Sequence, residues 1–149
     1  NNNQEVMEHI ERIRGMAAQK IGFVEDYMEA RTKATSAPKV SIVSAPQDYV
    51  NMDGKNVSAD AMDLCVRAIS VGMLHKAYPM TVAVASGAAA KIPGTIVSEL
   101  VRPVEGDIIR LGHSSGVTEV DMKMDGETVL KGGVTRTARR IMDGYVYIR

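Results

Sequence analysis

The sequence predicts an α+β protein: a barrel-like, mostly antiparallel sheet around a central buried helix, with an amphipathic helix at its N-terminal end. Three observations predict this. The run from Tyr78 to Ala90 carries no charged side chain, so a helix there has no face suited to water and must be enclosed. The residues after Gly94 break into short segments rich in Val, Ile and Thr, separated by Gly, Pro and Asp. Near the start, Val6, Ile10, Ile13, Ala17, Ile21, Val24 and Met28 recur at steps of three or four with Glu and Arg between them. The 149 residues fit one domain, 1–149, comprising a helix within 1–34 and a barrel-like body over 38–149 whose central helix occupies 79–91.

The first helix spans about seven turns from Val6 to Met28. Gly15 and Gly22 each weaken it by about 1 kcal/mol relative to Ala, so packing must hold it, either on the flank of its own domain or on a partner. After the breaker Thr35-Ser36-Ala37-Pro38, the run Val40 to Ser44 reads as a strand ended by Ala45-Pro46. Asp53-Gly54-Lys55-Asn56 is a turn, and Ser58 caps a predicted helix on which Met62, Cys65, Val66 and Ile69 share a face. That face makes Cys65 a packed thiol rather than a nucleophile. Pro79 suits the first position of the central helix, whose end is marked by Lys91-Ile92-Pro93-Gly94. Its small side chains would let surrounding strands approach closely. Strands are then predicted at 95–101, 107–111, 117–124, 128–130, 134–138 and 144–148.

Charge and composition exclude several classes of function. With 18 basic and 18 acidic residues the formal net charge is +0, so no overall field favours nucleic acid or anionic lipid, and any anion site must be local. Aromatic residues make up 4% with no Trp, which leaves few platforms for stacked bases. The single cysteine forms no internal disulfide or thiolate metal cluster and fits a reducing, cytoplasmic setting. The longest apolar stretch, Pro79 to Ala90, is too short to span a bilayer as a helix. The chain opens on Asn1 and an asparagine run leading straight into a helix, which we read as a cut inside a longer chain.

Three constellations could carry chemistry. His75-Lys76-Ala77-Tyr78-Pro79-Met80-Thr81 precedes and opens the central helix. A helix N-terminus presents unbonded N–H groups and about half a positive charge, so it favours a carboxylate, and His75, Lys76 and Thr81 would add donors. The same residues also suit an ordinary helix start with an exposed Lys and a surface His. Gly112-His113-Ser114-Ser115-Gly116 is a tight polar loop between two predicted strands; a His and two hydroxyls there can hold carboxylate oxygens, or simply build a hairpin turn. Arg136, Arg139 and Arg140 read as the solvated edge of a strand. No Gly-rich nucleotide loop, no metal-ligand spacing and no Ser-His-Asp set with local support is present.

Three stretches resemble the C-terminal region of the 2-methylaconitate cis-trans isomerase family, which also contains methylitaconate Δ-isomerases and 4-oxalomesaconate tautomerases. They are Pro38 to Pro46 with Asp48-Tyr49; Met62-Asp63-Leu64 through His75-Lys76-Ala77 to Ile92-Pro93-Gly94-Thr95; and Gly112 to Gly116 with Arg136-Thr137-Ala138-Arg139-Arg140 through Gly144. The order and spacing of these stretches cover nearly the whole chain after the first helix. The resemblance implies a diaminopimelate epimerase-like fold of two similar halves, each a barrel-like sheet around a central helix, with the active site between them. In the epimerases a cysteine opens this helix ahead of Gly-Thr-Gly; here Thr81 matches the threonine, but Pro79 stands at the cysteine position, which argues against amino-acid epimerisation by paired cysteines.

By this resemblance the chain is the C-terminal half of a cofactor-independent isomerase that shifts a double bond in small unsaturated di- or tricarboxylates. The proton-transferring Cys and Lys are expected in a missing N-terminal half, so the isolated fragment is expected to be inactive. His75 is the accessory catalytic candidate, orienting or relaying the proton. Lys76, Met80, Thr81, His113, Ser114 and Ser115 are the substrate-binding candidates. No metal, cofactor, nucleic acid or membrane is expected, and a homo-oligomer could form through the face a missing half would cover. The competing reading is a free-standing carboxylate-binding or structural module of the same fold without chemistry.

Overall fold

A computed structural model describes residues 4–70, 72–135 and 139–148. It is an α+β structure: a curled six-stranded sheet, a two-stranded hairpin and four α-helices among the described residues. In chain order these are α1 (Gln4–Lys20), a 3-10 turn (Tyr27–Glu29), α2 (Ala30–Lys33), β1 (Val40–Ser44), β2 (Tyr49–Val50) and β3 (Asn56–Val57). A second 3-10 turn (Ala59–Ala61), β4 (Leu64–Ser70), β5 (Met73–Leu74), α3 (Met80–Lys91), α4 (Ile96–Leu100), β6 (Ile108–His113), β7 (Gly116–Asp125) and β8 (Thr128–Val134) follow. The main sheet runs β1-β4-β6-β7-β8, with β5 returning along the end of β4. Every pairing is antiparallel except β4 with β6.

α1 is shorter than its apolar repeat predicts. Gly22 at φ +79° ends it: Phe23 N–H donates to Ala18 O at 2.9 Å and Gly22 N–H to Gln19 O at 3.0 Å, the paired bonds of a Schellman terminus. The chain then turns back through the 3-10 turn and α2, so the segment predicted as one helix is a hooked pair. The buried face also differs from the predicted stripe. Ile10, Arg14, Gly15 and Ala18 face inward, while Ile13 and Ile21 are exposed. Arg14 decides this, because its guanidinium donates to the carbonyls of Ala30 (2.9 Å) and Ala34 (2.6 Å) and, through Nη2 and Nε, to the Glu11 carboxylate (2.5 and 2.8 Å). An added Cβ at Gly15 would lie 2.5 Å from Tyr27 O, so this glycine lets the hook close.

Two further segments change type. Ser58 does cap a helical turn, accepting from Asp60 N–H at 3.3 Å, but the turn stops at Ala61 and residues 64–70 form a strand. Leu64, Val66 and Ala68 face the main core while Cys65, Arg67 and Ile69 face the other side. Both faces are covered, so nearly every position is buried and the period of two cannot be read from hydrophobicity. Residues 95–101, predicted as a strand, contain α4, whose start Thr95 caps by accepting from Ser98 N–H at 3.0 Å. The predicted strands at 128–130 and 134–138 join into β8 as far as Val134, and residues 139–148 have no regular structure. Arg139 and Arg140 therefore lie off any strand, and Arg136 lies outside the described residues.

The central helix is where the sequence predicts it. α3 packs against β7, β8 and α4, with Ala83, Ser86 and Gly87 turned inward and the other positions only partly covered. It is thus cradled on one side by the sheet rather than surrounded. Close approach depends on glycine: an added Cβ at Gly87 would lie 2.8 Å from Met122 Cγ, and one at Gly132 2.7 Å from Val84 Cγ1. The core beneath α3 is Leu64, Val66, Ala68, Ile109, Leu111, Val120 and Met122, closed at one end by Tyr78. Each such fully buried aliphatic side chain contributes about 1.5–3 kcal/mol.

The parallel β4–β6 junction is clamped by Asp63, which is 5% exposed. Its carboxylate accepts from Arg110 Nη2 (2.6 Å), Nε (3.2 Å) and backbone N–H (2.8 Å), while its own N–H donates to Arg110 O at 2.8 Å. Burial pushes this carboxyl up, but the Arg110 hydrogen bonds and charge outweigh it and hold the group below the ordinary carboxylate range. A carboxyl whose folded pKa lies below its unfolded value adds stability that is complete above the unfolded value and is lost as pH falls through the folded one. We therefore expect Asp63→Asn to cost about 1–3 kcal/mol in denaturant unfolding at neutral pH, because the Arg110 side chain remains partly hydrated. The gap to wild type should narrow as pH falls below about 4; a gap independent of pH would contradict the clamp.

Candidate functional site

The topology of β4 brings the first two constellations together. β6 runs parallel to β4 in the register Leu64 to Leu111 and Cys65 to Gly112, so its last residue, His113, arrives beside the middle of β4. β5 comes back antiparallel from the far end, and His75 N–H donates to Ala68 O at 2.8 Å. The loop from His75 to Pro79 and the turn from Gly112 to Gly116 therefore meet over the stretch of β4 between Val66 and Ala68.

Two contacts fasten them. Ser115 Oγ donates to Lys76 O, and the rings of Tyr78 and His113 stack with centroids 6.5 Å apart at 17°. Tyr78 is 7% exposed, and its hydroxyl bridges Ser41 Oγ of β1 and Ser86 Oγ of α3, each at 2.7 Å. Pro79 then caps α3, with Ala83 N–H donating to Pro79 O at 2.9 Å, so the first turn of the helix opens at this junction.

The turn is also held from behind. Tyr49 Oη lies 2.7 Å from His113 O and 2.8 Å from Gly116 O and donates between them, and Met52 N–H donates to Ser114 O at 2.8 Å. The β2–β3 hairpin thus straps the turn down. Arg67 sits under the strap, its guanidinium carbon 4.6 Å from the Tyr49 ring centre and its Nη1 3.1 Å from Gly112 O. An added Cβ at Gly112 would lie 2.2 Å from the Sδ of fully buried Met62, so any larger residue there would force the Met62 side chain to move.

The structure sorts the predicted residues into two groups. Lys76, Met80 and Thr81 are exposed and His75 is half-exposed, so these face solvent at the helix start. His75 Nδ1 is 2.8 Å from Ala77 O and 3.1 Å from Ala77 N. His113 and Ser114 are buried, and the one hydroxyl hydrogen of Ser115 is used on Lys76 O. Both ring nitrogens of His113 are engaged, Nε2 with Thr118 Oγ1 at 2.8 Å and Nδ1 as acceptor from Ser115 N–H at 3.2 Å. In this arrangement the Gly112–Gly116 turn is a supporting wall, and the outward donors come from the His75–Thr81 segment. Tyr49, Arg67, Thr118, Ser41 and Ser86 were not singled out from the sequence. Tyr49, Arg67 and Ser41 act through partners distant in the chain, and Thr118 and Ser86 through partners five and eight residues away across a turn or a helix start; hydroxyls and rings in β-rich segments carry no local signature of such pairing.

Among the described residues no three His, Cys, Asp or Glu side chains gather as a metal site would require, and no helix is long and apolar enough to cross a membrane. Cys65 is buried on β4 with its Sγ 3.4 Å from Arg67 Nη1, as a packed thiol should be.

Burial, reinforced by the nearby Arg67 charge, pushes the His113 imidazole below its ordinary value. A histidine whose folded pKa is depressed contributes stability above its unfolded value, lost as pH falls through the folded one. In an NMR titration His113 should therefore titrate below 6.5 and carry its proton on Nε2 at neutral pH. A midpoint at or above 6.5 would contradict a neutral, walled-in ring.

The fold closely matches a crystal structure of a methylitaconate Δ-isomerase: TM-score 0.89 and 38% identity, covering 98% of this chain and 38% of that one. In sequence the chain is 39% identical over 150 residues to a 3-methylitaconate isomerase of Eubacterium barkeri, covering 99% of this chain and 40% of that protein. It is 38% identical over 152 residues to a 2-methyl-aconitate isomerase of Shewanella oneidensis, covering 99% of this chain and 38% of that one. The chain thus spans about two fifths of the length of these relatives. The family described as PrpF protein matches residues 1–149. With a match over the whole chain and a fold shared with a relative 38% identical, this chain belongs to the PrpF family.

Proposed function

We propose that this chain is the C-terminal half of an isomerase that moves a double bond in a small unsaturated di- or tricarboxylate of the methylitaconate or methylaconitate class. The reaction is an allylic proton shift needing no cofactor. A base removes a proton activated by a neighbouring carboxylate, and an acid returns it elsewhere on the three-carbon unit. The catalytic Cys and Lys belong to the N-terminal half implied by the family resemblance, and 1–149 is one domain of the pair.

The observation that carries this reading is the latched junction of the two loops. It fixes the segment that leads into the twelve-residue helix α3, at whose positive end Lys76 and Thr81 are exposed and His75 partly so. Negative charge that builds on the substrate carboxylate during proton removal would be stabilised there by first-turn N–H groups, by the Lys76 ammonium and by His75. The surface is open, with Lys76, Met80 and Thr81 exposed, as expected of one wall of a site completed by a second half. Relatives named isomerases of methylitaconate and 2-methyl-aconitate support the substrate class.

The test is isomerisation of methylitaconate and 2-methylaconitate, followed by the NMR signals of their vinyl protons. The full-length protein carrying this chain should turn over one of them, and residues 1–149 alone should turn over neither. Activity of the fragment alone would place the catalytic pair inside this chain and overturn the two-half reading. In the full-length protein, His75→Ala should lower turnover by about 10- to 100-fold with an unchanged circular dichroism spectrum; unchanged kinetics would remove His75 from the site. Ser115→Ala should raise KM more than it lowers kcat, since it loosens the latch that seats the anchor.

A further inference from the structure

We infer that Tyr78 is the positioning residue of this site, fixing the first two turns of α3 against the Gly112–Gly116 turn; the inference rests on the reading of that surface as the carboxylate anchor. Its side chain is held at both ends and on one face. The backbone end is set by Pro79, the cap of α3, at φ −61° and ψ 134°. The hydroxyl end reaches Ser86 Oγ and Ser41 Oγ, each at 2.7 Å. One face lies on His113.

Ser86 stands eight residues beyond Tyr78, so the phenol lies alongside roughly the first two turns of the helix, about 9 Å of axis. Ser41 is on β1, and its hydroxyl also lies 3.3 Å from Arg67 O of β4. The hydroxyl directions follow from this: Ser41 donates to Arg67 O, Tyr78 donates to Ser41, and Ser86 donates to Tyr78. One ring therefore references the helix start to three separate parts of the protein, β1, the body of α3 and the turn after β6. Beyond it, Ser115 Oγ on Lys76 O also fastens the two loops.

Tyr78 does not itself meet substrate. It is buried, and its hydroxyl points along the helix to Ser86 rather than outward to His75, Lys76 and Thr81. Its influence passes through the placement of the first helical turn. Loss of the hydroxyl should therefore weaken binding of the carboxylate more than it slows the chemistry.

The experiment uses the full-length isomerase with Tyr78→Phe, which keeps the ring and its stack, and Ser86→Ala, which removes one hydroxyl partner and leaves Tyr78 in place. We expect KM to rise about fivefold in Tyr78→Phe and about twofold in Ser86→Ala, with kcat within about twofold of wild type in both. Amide hydrogen exchange at Ala83, whose N–H makes the first helical bond to Pro79 O, should quicken in parallel, as should exchange at Ser115. A KM unchanged in both variants while melting temperature falls would reduce Tyr78 to a packing role and overturn the inference. If Tyr78→Phe fails to fold, Ser86→Ala alone decides, by the same readouts. If the wild-type protein isomerises no dicarboxylate, the functional reading falls separately. Exchange at Ala83 and Ser115 in the variants then still upholds or overturns the positioning.

Discussion

The structure depends on β4 having two different neighbours along one edge. Over Leu64 and Cys65 it pairs with β6 in parallel, and at Ile69 and Ser70 it pairs with β5 in antiparallel. A strand that changes partner partway along leaves a gap in the ladder between them, and the chain must leave both neighbours at that gap. β6 ends there at His113, and the segment after β5 turns there into α3. The Asp63–Arg110 clamp fixes the register at the start of β4, so the place where the loops meet is set by hydrogen bonding far from the surface they create.

Polar groups enter the core only where they are mutually satisfied. The Tyr78 hydroxyl, Ser41 and Ser86 form a closed chain between sheet and helix, and His113 finds partners for both nitrogens. No buried side-chain nitrogen or oxygen among the described residues lacks a partner. Such networks add rigidity because every member left alone would carry a desolvation cost of about 1–3 kcal/mol. At the junction of the two loops the buried residues Tyr78, His113 and Ser114 thus give the exposed segment a rigid backing.

The N-terminal hook is built on a different plan. Its own small cluster of Ala18, Val24 and Ala30 is slight, and Arg14 does much of the joining by donating to the carbonyls of Ala30, which opens α2, and Ala34, which caps its end. That a charged residue occupies the inward face leaves Val6, Ile13, Met16 and Phe23 exposed. The extended residues Tyr145 to Ile148 are at least 90% exposed as well. Other large apolar side chains are exposed in between, among them Val50, Met73 and Ile96.

By itself the sequence determined the elements whose signal is local. α3 follows from the uncharged run Tyr78 to Ala90, with Pro79 at its start and Pro93 beyond its end, the β6–β7 hairpin from two strand-like segments about a Gly-flanked turn, and the family from the order of its motifs. Local signals failed where two states compete closely. Residues 62–70 are apolar on both sides because both sides are covered, which erases the period that separates strand from helix. Residues 95–101 carry β-branched side chains, yet Thr95 caps a helical turn there. Gly22 reads as a weak spot within a helix, and only its positive φ makes it a terminus. Tertiary structure alone decided which of the candidate residues are exposed and which are buried. His113 and Ser114 are buried while Lys76, Thr81 and Ser115 are exposed, because a β4 neighbour ends where another begins, a pairing between residues tens of positions apart that no local pattern encodes.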